Sequence, residues 1–177
     1  MEQNISRARE LVPSIIITVL SMIQALALEL YWSRIQESDF LWSGGWPAAL
    51  GWVQLAVMLL GIIQIWLMYV SLMLRFSWLP SMWDTVIPFA IGLLEFALID
   101  LMGPERLGLW FMVLAIAFSL SIGAAHTAHR QARKDSENDY FFNAVAPASW
   151  KDYAGSIGSI AVLALIGVFL PISEDRS

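Results

Sequence analysis

Four stretches of this chain carry no charged residue: Leu11 to Leu28, Phe40 to Leu74, Leu107 to His129 and Tyr153 to Ser173. Their lengths of 18, 35, 23 and 21 residues meet or approach the roughly 20 apolar residues that cross a bilayer as a helix. A chain that removes charge from windows of this length has little choice of fold. In hydrocarbon, backbone N–H and C=O groups must pair internally, which leaves helices or closed barrels, and the continuous apolar runs here lack the alternation of a barrel strand. Only 14% of all residues are charged and 58% are hydrophobic, against about 25% charged in a soluble domain. The expected fold is all-α: a single polytopic transmembrane helical bundle spanning residues 1–177.

The pattern predicts helices over 11–32, 49–74, 82–102, 105–133 and 150–170. The first run follows Arg7, Arg9 and Glu10, as a signal peptide would, but continues through Glu29 and Trp32 with no small-x-small cleavage site beyond it. It therefore reads as a retained helix, with Pro13 near its start, where the missing amide is an orphan in any case. Ser38 to Pro47 reads as a turn-rich linker folded onto the interface. Pro88 falls in the second turn of the third helix, where a kink is the most it need cause, and Gly103-Pro104 closes that helix. Glu105 is expected in the first turn of the fourth helix, with Arg130, Arg133 and Lys134 at its end, as the helix dipole favours. Residues 134–149 form the most polar loop. Ser149 and Asp152 resemble a capping box ahead of the fifth helix. That last segment fits either a crossing or a helix packed at the interface, giving five crossings or four.

With the N-terminus cytoplasmic, seven basic residues (Arg7, Arg9, Arg75, Arg130, Arg133, Lys134 and Lys151) lie inside and three (Arg34, Arg106 and Arg176) outside. Short loops rich in Lys and Arg stay cytoplasmic, so the expected arrangement is multi-pass in a plasma membrane, the inner membrane if the source is bacterial. Trp32, Trp42, Trp46, Trp52, Trp78, Trp83, Trp110 and Trp150 fall near helix ends, where indoles favour the headgroup region. Trp66 falls in mid-helix and needs a partner for its N–H. Rows of small residues (Ala117, Ser121 and Ala125; Ser119 and Gly123; Ala154 and Gly158; Gly155 and Ser159) are expected to be helix contacts, because small side chains let helix backbones approach in lipid.

A net charge of -5 and no basic stripe leave little to attract a phosphate backbone, so nucleic acid is not an expected partner. The absence of Cys removes disulfides and thiolate metal sites. Gly-rich phosphate loops, His-Glu-x-x-His and Gly-x-Ser-x-Gly are absent, and nothing arranges Ser119, Ser121 and His126 as an activated nucleophile. An enzymatic role is not favoured, and no cofactor is implied.

Ionisable residues at membrane depth mark function more often than they mark packing. Glu95 lies deepest, about 4 Å past the midpoint of the third helix at 1.5 Å per residue. Glu29 and Asp100 lie nearer the outer ends of their helices. Gln24 and Gln54 share that outer half, and Gln64 falls just inward of centre. No cationic side chain is expected at this level. A carboxylate so placed either takes up a proton or sits against water and a mobile cation. These residues therefore suggest an outward polar cavity for protons or small cations, although Glu95 and Asp100 subtend about 140° on an ideal helix. His126 and His129, at i and i+3 near the inner end, read as a hydrated juxtamembrane pair or, alternatively, as a pH-sensitive element; two His without a third ligand do not make a metal site. The expected function is a channel or transporter for protons or small cations, assembled with lipid and with further copies or a membrane-protein partner. The alternative is a non-transporting scaffold, sensor or accessory subunit.

Overall fold

The computed structural model describes residues 2–77 and 82–174, and every regular element among them is helical. Five long helices, α1 (Glu2–Glu37), α2 (Gly45–Arg75), α3 (Met82–Asp100), α4 (Leu107–Ala132) and α6 (Ala154–Glu174), are joined by short connections and by a cap containing the one-turn α5 (Asp139–Phe142). Four segments, Pro13–Glu37, Gly45–Arg75, Leu107–Ala132 and Lys151–Leu170, are long and apolar enough to cross a membrane. The 19-residue α3 rises about 28 Å at 1.5 Å per residue and packs between α1 and α4. The chain is a multi-pass helical membrane protein of four to five crossings.

Pairings along the helices fix their directions. Ile23 meets Gly92, Gln24 meets Glu95, and Arg34 reaches the Met102 carbonyl at 3.2 Å, so α1 and α3 run parallel. The α2 indole of Trp66 donates to Ser21 of α1 at 3.4 Å, which supplies the partner that its mid-helix position requires. At one end of the bundle, Leu55 and Met58 of α2 cluster with Trp110 and Leu114 of α4. At the other end, Leu72 clusters with Ala128 and Ala132, so these two helices are also parallel. The last helix runs back along α4: Tyr153, just before it, touches His126, and Gly167 packs on Met112 and Gly108. These contacts run α6 antiparallel to α4 from the level of His126 to that of Gly108.

Several boundaries differ from the sequence expectation. α1 begins at Glu2, not Leu11, which puts Pro13 inside the helix. There it leaves the Arg9 carbonyl without its usual N–H partner. α2 begins at Gly45, four residues early, because Pro47 fits the first turn of a helix, where no amide partner is needed. α3 continues unbroken through the buried Pro88. α4 begins at Leu107, so Glu105 lies outside its first turn and the cation Arg106 occupies the cap position. The unfavourable charge is drawn away, since the Arg106 guanidinium pairs with the Asp100 carboxylate at 3.3 Å and donates to the Asp100 carbonyl at 2.8 Å. The Ser149 N–H donates to the Asp152 carboxylate at 2.7 Å, as a capping box requires.

The tryptophans divide. Trp32, Trp42, Trp46 and Trp52 are exposed at the end of the bundle where α1 turns into α2, and Trp42 and Trp52 donate to the carbonyls of Ile35 and Leu41. Trp110, expected at the headgroups, is instead buried in the core, and its indole nitrogen has no partner among the described residues. Trp78 lies outside the described residues.

The small-residue rows divide: Ala117 is buried in the core with Leu55 and Met58 of α2, whereas several of the other positions behave differently from the expectation. A Cβ placed on Gly123, Gly155 or Gly158 would meet no described atom within 4 Å. Ser119, Ser121 and Ser159 donate to carbonyls four residues back in their own helices, at 2.8, 2.8 and 3.1 Å. Hydroxyls satisfied in this way do not link helices. The close approaches occur elsewhere. A Cβ on Gly51 would lie 2.5 Å from Leu41, and one on Gly167 would lie 2.9 Å from the Gly108 carbonyl oxygen.

Candidate functional site

Glu95 projects from the buried face of α3, which it shares with Ile91, Leu98 and Ile99, and it is 6% exposed. On one side, Gln24 of α1, 5% exposed, donates its amide nitrogen to both carboxylate oxygens, at 3.0 and 3.3 Å. On the other side, Glu95 forms part of the wall of a crevice of about 480 Å³ bounded by α2, α3, α4 and Ser156 of α6. The crevice lies between α2 and α4, with Glu95 and Leu98 of α3 contributing to its wall. Its inner wall is apolar, including Met58, Ile62, Leu98 and Leu114, while the exposed Leu60, Gln64 and Phe118 form a rim that opens sideways. Among the described residues, none that line it is Lys, Arg or His.

A carboxylate can accept about four hydrogen bonds and a side-chain amide can both donate and accept. Gln24 fills only part of that capacity, and its own carbonyl oxygen is buried with no partner among the described residues. Rotating the amide by half a turn would aim that oxygen at Glu95, where it would accept the proton of a neutral carboxyl. One side chain can thus serve both protonation states of Glu95. The orphaned oxygen is the group that the second state would satisfy.

The other polar residues singled out from the sequence do not gather here. Of the six, the structure joins Gln24 and Glu95 directly and adds Gln64 on the crevice rim. Glu29 is exposed. Asp100 is exposed and, against the expectation of an acid without a cation partner, pairs with Arg106; the loop that turns α3 into α4 folds the guanidinium back onto it. Gln54 is buried and accepts from the Gly103 N–H at 3.0 Å. Gly103 sits at φ +127, a conformation that favours glycine, so Gln54 fixes the turn after α3. Among the described residues, Glu29, Asp100 and Gln54 do not line the crevice that Glu95 and Gln64 share.

His126 and His129 also have separate tasks. The His126 Nδ1 lies 3.0 Å from the Tyr153 hydroxyl, with the rings edge to face, which ties α4 to the base of α6. The His129 Nδ1 donates to the Ala125 carbonyl at 2.7 Å, and its ring meets Phe76.

Sequence reasoning missed Asn138. It is 2% exposed; its amide donates to the carbonyls of Ser77 and Ala132, and its oxygen accepts from the Ser77 N–H at 3.0 Å. With Phe76 stacked on Phe142 and edge to face with Phe141, and with Arg133 over the Phe142 ring at 4.6 Å, it turns the polar loop into a folded cap over the ends of α2 and α4. The sequence signal was the aromatic run Tyr140-Phe141-Phe142 in an otherwise polar segment.

Comparison with protein-family models, with curated proteins and with solved structures found no match for this chain.

Proposed function

We propose that this protein is a small transport protein for protons or small cations, in which Glu95 is the exchanging group. The observation that carries this reading is the position of the Glu95 carboxyl, 6% exposed, on the wall of a crevice with no basic residue among its described lining. A buried ionised carboxylate is costly unless a cation or proton compensates it, and the chain supplies neither a Lys nor an Arg there. Gln24 supports repeated exchange because its amide can serve both states of the acid. The crevice opens to the side of the bundle, which favours a carrier that binds and releases over an open aqueous pore. The predominance of Lys and Arg in the segments assigned to the inside supports a cytoplasmic N-terminus and a plasma-membrane location. Only 6% of the α6 span is buried in the bundle, which leaves that helix free to meet lipid or a second copy.

A scaffold or accessory subunit is the second reading. It is favoured by the Gln24 to Glu95 hydrogen bond, which by itself would hold α1 against α3. Flux separates the two. Reconstituted wild-type protein should move protons or a monovalent cation down a gradient; Glu95→Gln should abolish most of that movement and Glu95→Asp should retain more of it. Equal flux by folded wild-type and Glu95→Gln proteins would leave the scaffold reading.

A further inference from the structure

We infer that the crevice between α2 and α4 binds a lipophilic organic cation, an apolar body bearing one positive charge, which displaces the proton of Glu95. The inference rests on the reading of Glu95 as an exchanging carboxyl and names the class of cation that this site takes.

The walls argue against a bare inorganic ion. Such an ion must replace its water with several oxygen ligands, and the polar groups in the crevice are few: Glu95, Gln64, Ser121 and Ser156. An organic cation carries its own apolar shell, so it needs one counter-charge and a large apolar surface, and both are present. The volume of about 480 Å³ lies within the roughly 300–1,000 Å³ of pockets that enclose small molecules. Met58 and Met68 in the lining are unbranched and adaptable, suited to ligands of varied shape. An anion of the same shape would place like charge beside Glu95, and a neutral molecule would supply no charge to take the place of its proton. The sideways opening at Leu60 and Phe118, 65% and 42% exposed, admits a ligand that has first dissolved in the bilayer.

Tetraphenylphosphonium and tetraphenylborate share one shape and carry opposite charges, which makes them the probes. With the full chain in lipid nanodiscs, radiolabelled tetraphenylphosphonium should bind saturably, tetraphenylborate should not compete, and binding should weaken as pH falls because protons compete for one carboxyl. Glu95→Gln should weaken binding by at least about tenfold, as expected on loss of a charge-assisted contact in a water-poor site, and should remove the pH dependence. Gly61→Leu supplies the second variant. Gly61 lines the crevice and has no described atom within 4 Å of a Cβ position, so leucine fills the space without touching Glu95, and binding should again be lost. Saturable binding that is equal in wild-type and Glu95→Gln proteins, or phosphonium uptake no greater than in empty nanodiscs, would overturn the inference. Glu95-dependent proton flux with no phosphonium binding would overturn it while leaving the transport reading intact. Phosphonium binding at Glu95 with no flux of any ion would support the site and remove transport.

Discussion

The pair formed by Glu95 and Gln24 differs in kind from the pair formed by Asp100 and Arg106. The latter is exposed, with side-chain exposures of 71% and 48%, and such pairs contribute about 0–1 kcal/mol. The former is withdrawn from water, so each partner depends on the other. Gln24→Leu removes the donor and leaves a buried carboxyl unsatisfied, which should destabilise the protein by about 1–3 kcal/mol. Replacing both residues with leucine should recover much of that loss, since removing both halves of a buried hydrogen bond can be nearly neutral. Thermal unfolding in mild detergent reads both effects. An unchanged melting temperature for Gln24→Leu would mean that water satisfies the carboxyl. The depth of Glu95 was legible in the sequence, because a lone acid in an apolar run needs no structure to stand out. Its partner was not, because Gln24, Gln54 and Gln64 are equivalent there, and only the crossing of α1 over α3 selects Gln24. Gln54 was misread for the same reason, since its partner is a backbone N–H on a turn that no pattern places beside it.

Helices read well from charge spacing, and their contacts read poorly. The four uncharged windows locate α1, α2, α4 and α6, and Pro80 with Gly103-Pro104 brackets α3. Which small residues lie between helices depends on rotation about each axis, to which hydropathy is blind when every face is apolar. α6 makes the point. Its glycines at 155 and 158 face open space, whereas Gly167 sits on the backbone of α4, with the Met112 nitrogen 3.0 Å from a Cβ position. Gly167→Leu should therefore overpack the contact, cost on the order of 1–3 kcal/mol, and loosen α6 from α4, while Gly158→Leu should leave stability unchanged. Melting temperature and elution volume check the pair. Destabilisation by Gly158→Leu at high protein concentration alone would instead place that glycine between copies.

At the scale of the whole molecule, alternating helix directions and the larger number of basic residues toward one end of the bundle predict an orientation that accessibility can test. In this cysteine-free chain, a single Cys at Ser136 should be shielded from a membrane-impermeant thiol reagent in intact cells, while Cys at Ser43 or Ser173 should react. Labelling at 136 would invert the bundle, and shielding of 173 would remove the final crossing. The same alternation lets α2 and α4 run parallel on either side of the crevice, with Glu95 of α3 on its wall. The claim that this carboxyl exchanges ions is tested most directly by proton flux into liposomes containing matched amounts of folded wild-type or Glu95→Gln protein, measured with an internal pH dye under an imposed gradient. The account predicts acidification well above that of empty liposomes for the wild type and close to that of empty liposomes for Glu95→Gln; indistinguishable traces from the two proteins, across ions and pH values, would contradict it.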